Sequence, residues 1–83
     1  MQTLIVDCGG FVLEHSVYLV TQEGISRTAA QLPTAEIAGY AFAAGVDKIY
    51  LRGPKEYCFG IQEEISKQLK TEYSNENIEI EVI

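Results

Sequence analysis

The first patterned stretch is Thr3-Leu4-Ile5-Val6-Asp7, an apolar run closed by an acid and followed by Cys8-Gly9-Gly10. Consecutive apolar residues, two of them β-branched, suit a strand covered on both faces, and the glycine pair suits a sharp turn. His15 to Thr21 is rich in β-branched and aromatic residues and predicts a second strand. The Gly9-Gly10 link is too short for a crossover helix, so these two strands are expected to be antiparallel neighbours. Glu23-Gly24 marks the next turn, and Ile25 to Ala30 alternates weakly, as a third strand would.

At Leu32-Pro33-Thr34 the period changes. Proline disfavours helix in the residue before it, Thr34 is a good N-cap, and Glu36 complements the helix dipole. The first helix is predicted over Ala35 to Ala44, stopped by Gly45. It is rich in alanine and thin, with Ile37, Tyr40 and Phe42 as its bulk. Lys48 to Arg52 predicts a fourth strand, and Gly53-Pro54 opens a second helix. In that helix Cys58, Ile61, Ile65 and Leu69 recur three and four apart, an amphipathic stripe. Asn75 is its expected stop. Ile78 to Ile83 alternates strictly, as a half-buried last strand whose glutamates guard an edge.

The order is therefore β-β-β-α-β-α-β: an α/β fold with one mixed five-stranded sheet, ordered 3-2-1-4-5. Both crossovers should be right-handed and move the same way, which sets both helices on one face. Ile49, Leu51, Ile78, Ile80 and Val82 then point toward the helices. Lys48, Tyr50, Arg52, Glu79 and Glu81 point the other way, with Tyr18 expected to join them.

Size and composition narrow the functions. The 83 residues are expected to form a single domain, 1–83, with a thin core. No apolar run is long enough to span a membrane, and the start lacks the basic and cleavage regions of a signal peptide, so a cytoplasmic location is the default expectation. Cys8 and Cys58 form no CxxC pair and read as reduced, structural thiols. A formal charge of −6 argues against a binder of phosphate backbones. Lys48, Arg52 and Lys55 form the loose basic group on which a nucleic-acid reading would rest. His15 has no second histidine to join it on zinc and reads as a solvated strand-start residue. Asp7 reads either as a turn-capping side chain or as a carboxylate facing a metal or phosphate.

The strand order, together with Asp7-Cys8-Gly9-Gly10, resembles the ribonuclease H-like fold shared by resolvases, transposases and actin-like kinases. For the nuclease branch the resemblance implies several carboxylates around two divalent metals, which clamp the attacking and leaving oxygens. Asp7 would be the first and Glu56 the nearest second, with Mg²⁺ or Mn²⁺ as cofactor. The departures are larger than the match. Strand four ends in Arg52-Gly53 where an acid is wanted, and the third acid would come from a helix after the last strand, which these residues do not supply. The actin-like branch uses two copies of the fold and a hydroxyl residue in the glycine turn; this sequence has one copy and no such residue there.

The leading expectation is a small acidic, non-enzymatic binding or regulatory protein without a cofactor. It would act through protein–protein contacts or as a homo-oligomer, with Tyr50, Lys48, Arg52 and Tyr18 at the contact. The alternative is a metal-dependent nuclease or phosphotransfer remnant built on Asp7 and Glu56.

Overall fold

A computed structural model describes residues 2–9, 13–21, 23, 24 and 26–83, with the backbone alone at 26–29. The described elements run β1 (Thr3–Asp7), β2 (His15–Val20), β3 (Ser26–Leu32), α1 (Thr34–Ala44), β4 (Lys48–Arg52), α2 (Lys55–Glu72) and β5 (Glu79–Val82). The strands make one five-stranded sheet in the order β3-β2-β1-β4-β5. β1 pairs antiparallel with β2 and parallel with β4, β2 pairs antiparallel with β3, and β4 parallel with β5. Short links hold the antiparallel half and helical crossovers the parallel half, as the spacing of turn residues predicts. Ile25 and Gly10, expected at a strand start and in a turn, lie outside the described residues. β3 continues to Leu32, where Pro33 follows.

The helices touch each other, α1 also reaches β3, and α2 lies on β4 and β5. Both therefore occupy the same side of the sheet. Between the layers sit Leu4, Val6, Val17, Ile49 and Leu51 from the sheet, and Ile37, Cys58, Ile65 and Leu69 from the helices, in one apolar cluster. Ile78, Ile80 and Val82 of the last segment pack against its margin. β1 departs from the expectation of a strand covered twice: Leu4 and Val6 are buried, while Thr3, Ile5 and Asp7 are only half-buried. The helical layer covers one side, so the three-residue apolar run is split between a dry face and an open one.

The helix ends show local chemistry at work. Thr34 is not the N-cap; Pro33 holds that position, and no side chain caps it. Gly45 takes the left-handed conformation at φ 69° and donates its N–H to the carbonyls of Ala41 and Phe42, as a C-terminal glycine does. Ala38 and Ala41 let α1 lie close to the core, but Phe42 is exposed and stacks on Tyr73, with ring centroids 4.9 Å apart. It is Ile37, fully buried, that gives the helix its bulk in the core. At the end of α2, the Asn75 N–H returns to the Leu69 carbonyl at 2.9 Å. Its side-chain oxygen accepts from the N–H groups of Asn77 and Ile78, turning the chain into β5.

β1 and β4 also meet beyond their last residues. The Cys8 N–H donates to the Arg52 carbonyl at 2.7 Å, and Gly53 sits at φ 144° against Cys8. A Cβ at position 53 would overlap the Cys8 carbonyl oxygen, so glycine is what lets the chain leave β4 there.

The core reading has a direct consequence. Ile65 is completely buried in the helix–sheet cluster. Ile65→Ala is expected to cost about 2–5 kcal/mol, read as a lowered urea midpoint; an unchanged midpoint would contradict the packing described.

Candidate functional site

Strand alternation sends Ile5, Tyr18 and Tyr50 to the side that the helices leave open. The register sets Ile5 opposite Tyr18 on β2 and opposite Tyr50 on β4. The three side chains thus form a row across the central strands, all half-buried, with no covering layer among the described residues.

Charge pairs border this row. One residue pair toward the end of β1, Asp7 stands beside Arg52 of β4. The Arg52 Nε–H donates to Asp7 Oδ1 at 2.6 Å, and the guanidinium lies 5.4 Å from the centre of the Tyr18 ring. On the other side of the row, Lys48 Nζ lies 3.3 Å from Glu81, 3.7 Å from Glu79 and 5.0 Å from the centre of the Tyr50 ring. Toward β3 the Gln31 amide donates to the Ser16 hydroxyl at 2.8 Å. The result is an apolar and aromatic centre with a polar border whose charges are matched on the protein itself.

The electrostatics follow from those contacts. The hydrogen bond from Arg52 holds the Asp7 carboxyl below its ordinary value of 3.8, against the opposing effect of burial, with smaller help from the Tyr18 phenol. The same contact raises Arg52. The Tyr50 phenol and the Glu81 carboxylate raise Lys48. Asp7 and Arg52 keep 37% and 52% of their side-chain surface exposed, so the pair contributes little to stability. Its chemical effect is that neither charge stands alone.

The other residues singled out from the sequence fall in different places. Glu56 is exposed in the first turn of α2, in the helical layer, whereas Asp7 faces the open side of the sheet. Among the described residues no three His, Cys, Asp or Glu side chains gather into a metal-holding group. Of the basic trio, Lys48 and Arg52 are paired with acids, and Lys55 begins α2. Among the described residues no helix is long and apolar enough to cross a membrane.

His15 is not solvated. It is only 5% exposed, and its ring joins three elements. Nδ1 lies 3.2 Å from the Asp7 carbonyl oxygen, and Nε2 lies 2.9 Å from Thr34 Oγ1. A carbonyl can only accept, so Nδ1 carries the proton and donates; in the neutral ring Nε2 then accepts from the Thr34 hydroxyl. The Thr34 hydroxyl, on the first residue of α1, thus bonds to the ring. The ring is a structural brace at the end of the sheet.

Cys8 and Cys58 come together in the core, both fully buried and both free. Burial, followed by the hydrogen bond to the Cys58 thiol, pushes the Cys8 thiol up to about 12. Such a group stays protonated at neutral pH and is no nucleophile.

No model of a known protein family matches the chain, and no curated protein matches it.

The Asp7 contact sets a pH dependence of known sign. A carboxyl held below its unfolded value favours the folded state fully at neutral pH, and that contribution is lost as pH falls through the folded value. Melting temperature is therefore expected to fall more steeply below about pH 4 for the wild type than for Asp7→Asn, whose amide does not titrate. Parallel acid limbs for the two proteins would show that the ion pair has no such effect.

Proposed function

We propose that this chain is a single ribonuclease H-like unit that works as a binding or regulatory protein, not a catalyst, with the helix-free sheet face as its contact surface. The observation that carries the proposal is the row Tyr18–Ile5–Tyr50 on the face that the helices leave open, edged by ion pairs. An apolar and aromatic middle within a polar rim is the anatomy of a protein–protein contact. Tyrosine adds large apolar area with a hydrogen-bonding tip and is a frequent centre of binding energy.

Asp7 supports the same reading. The carboxylate that would receive a metal under the nuclease alternative is already bonded to a guanidinium. A divalent ion would have to displace that cation and would sit beside its positive charge. Glu56, its intended partner, stands in the other layer. The strand order supports the fold assignment. A cytoplasmic location belongs to the same proposal.

Two measurements test it. The purified protein is expected to show no nuclease or ATPase turnover with Mg²⁺ or Mn²⁺; turnover abolished by Asp7→Asn would replace this proposal with the enzymatic one. In affinity capture from lysate, specific partners held by the wild type are expected to be lost with Tyr50→Ala while circular dichroism stays native. Retention of the same partners by the folded variant would remove the sheet face from the contact.

A further inference from the structure

The surface grooves of the molecule differ in charge. Those along α2 carry both signs: Lys67 lies with Glu63, and Lys70 Nζ stands 3.5 Å from Glu76. Another groove, about 470 Å³ in volume, lies between the end of β3, α1 and the residue that closes α2. Leu32, Ala35, Glu36, Gly39, Tyr40 and Tyr73 line it. Among the described residues Glu36 is the one charged group on its walls, and no lysine or arginine borders it.

The fold sets these walls in place. Gly39 and Tyr40 follow Glu36 by three and four residues, so all three are neighbours on the helix surface. Gly39 leaves the room that Tyr73 fills: a Cβ there would lie 2.7 Å from the Tyr73 hydroxyl oxygen. The hydroxyl therefore rests on α1 about one turn from Glu36. Phe42 stacks on the Tyr73 ring, and just beyond it the Asn75 N–H returns to the Leu69 carbonyl, which fixes where the ring lies. Glycine inside a helix is less stable than alanine, and here it is what admits the tyrosine. Among the described residues neither the Glu36 carboxylate nor the Tyr40 and Tyr73 hydroxyls have an ion-pair or hydrogen-bond partner. The sheet face differs, since its Asp7, Glu79 and Glu81 carboxylates all have cations.

The chemistry of the walls selects the occupant. A carboxylate attracts a cation, and so do the electron-rich faces of tyrosine rings. Phenol oxygens accept N–H bonds as readily as they donate. A primary ammonium brings one positive charge and three N–H donors on a compact head. Leu32 and Ala35 offer apolar contact to an alkyl stem behind it. An anion meets only the opposing charge of Glu36, in a chain that already carries −6 and gathers cations near its surface. We propose that this groove is a binding site for a primary alkylammonium, with Glu36 as its counter-ion and Tyr40 and Tyr73 as its walls. The site shares no residue with the sheet face, so either can fail without the other.

Amide NMR shifts of the whole chain, followed while butylammonium chloride is added at constant ionic strength, test the site. Saturable shifts are expected at residues 35–40 and at Tyr73, with none from sodium chloride. Glu36→Gln, a change at an exposed position checked for folding by circular dichroism, should weaken binding roughly tenfold or more. Gly39→Ala, which displaces Tyr73, should weaken it as well. Glu64→Gln removes the same charge from an exposed position on α2 and should leave binding unchanged. Tetramethylammonium has no N–H to donate and is expected to bind more weakly; tighter binding by it overturns the ammonium assignment. Tighter binding of Nα-acetyl-lysine amide than of butylammonium assigns the site to a protein lysine, and equal or weaker binding assigns it to a free amine; both support it. Shifts that are absent, that do not saturate, or that persist unchanged in Glu36→Gln overturn it.

Discussion

Leu4 and Val6 can lie beneath the helices only if Ile5 and Asp7 lie on the other side, because neighbouring side chains of a strand point to opposite faces. β1 is the middle strand, bonded on both edges, so its choice binds its neighbours. A slip of one residue would bring Asp7 into the core and expose Leu4 and Val6 together. The register that prevents this also aligns Tyr18, Ile5 and Tyr50, and sets Arg52 beside Asp7. The open face is thus a direct outcome of burying the other one. Its aromatic row is what remains when a short apolar strand is covered on a single side.

The end of the sheet nearest Asp7 depends on polar contacts more than on apolar packing. The Asp7 carbonyl of β1 and the Thr34 hydroxyl of α1 converge there on the His15 ring of β2, which satisfies both. Beside it, Gly53 allows β4 to approach Cys8 closely enough for the Cys8–Arg52 backbone bond. Buried backbone groups left unmatched would cost about 1–3 kcal/mol each. A single imidazole and a single glycine therefore secure the junction of strand, hairpin and helix. The two thiols below it fill space as small apolar groups.

Much of the architecture was legible because its signals are local. Pro33, Gly45 and Gly53-Pro54 punctuate the chain where elements change, and the stripe through Cys58, Ile65 and Leu69 declares the buried side of α2. Link length made β1 and β2 antiparallel neighbours, while the place of β4 beside β1 came from the resemblance in element order. What stayed hidden depends on residues brought together by the fold. His15 reads as a solvated residue until Thr34, nineteen positions away, is beside it. Asp7 looked like a ligand or a cap because Arg52 is 45 residues distant. One signal could have revealed that pair: Leu4-Ile5-Val6-Asp7 and Ile49-Tyr50-Leu51-Arg52 are two apolar triplets ending in opposite charges, and in-register parallel pairing sets those ends together. Glu56 was attractive only by nearness in sequence to Arg52, and the change of layer at Pro54 takes it away.

The pairing of β1 with β4 also bears on how the chain folds. β1, β2 and β3 are joined by short links and can zip together locally, whereas β4 must return across 45 residues to reach β1. Closing that longer loop costs only about 1 kcal/mol more than closing the hairpin, and until it closes β1 has no partner on that side. Without β4, the meander of β1, β2 and β3 would present a bare edge on β1, together with the apolar side chains of Leu4, Val6 and Val17. An unpaired edge of that kind accepts any extended segment. Refolding at high concentration thus sets two reactions in competition for one strand: capture by its own β4, and capture by a neighbouring chain.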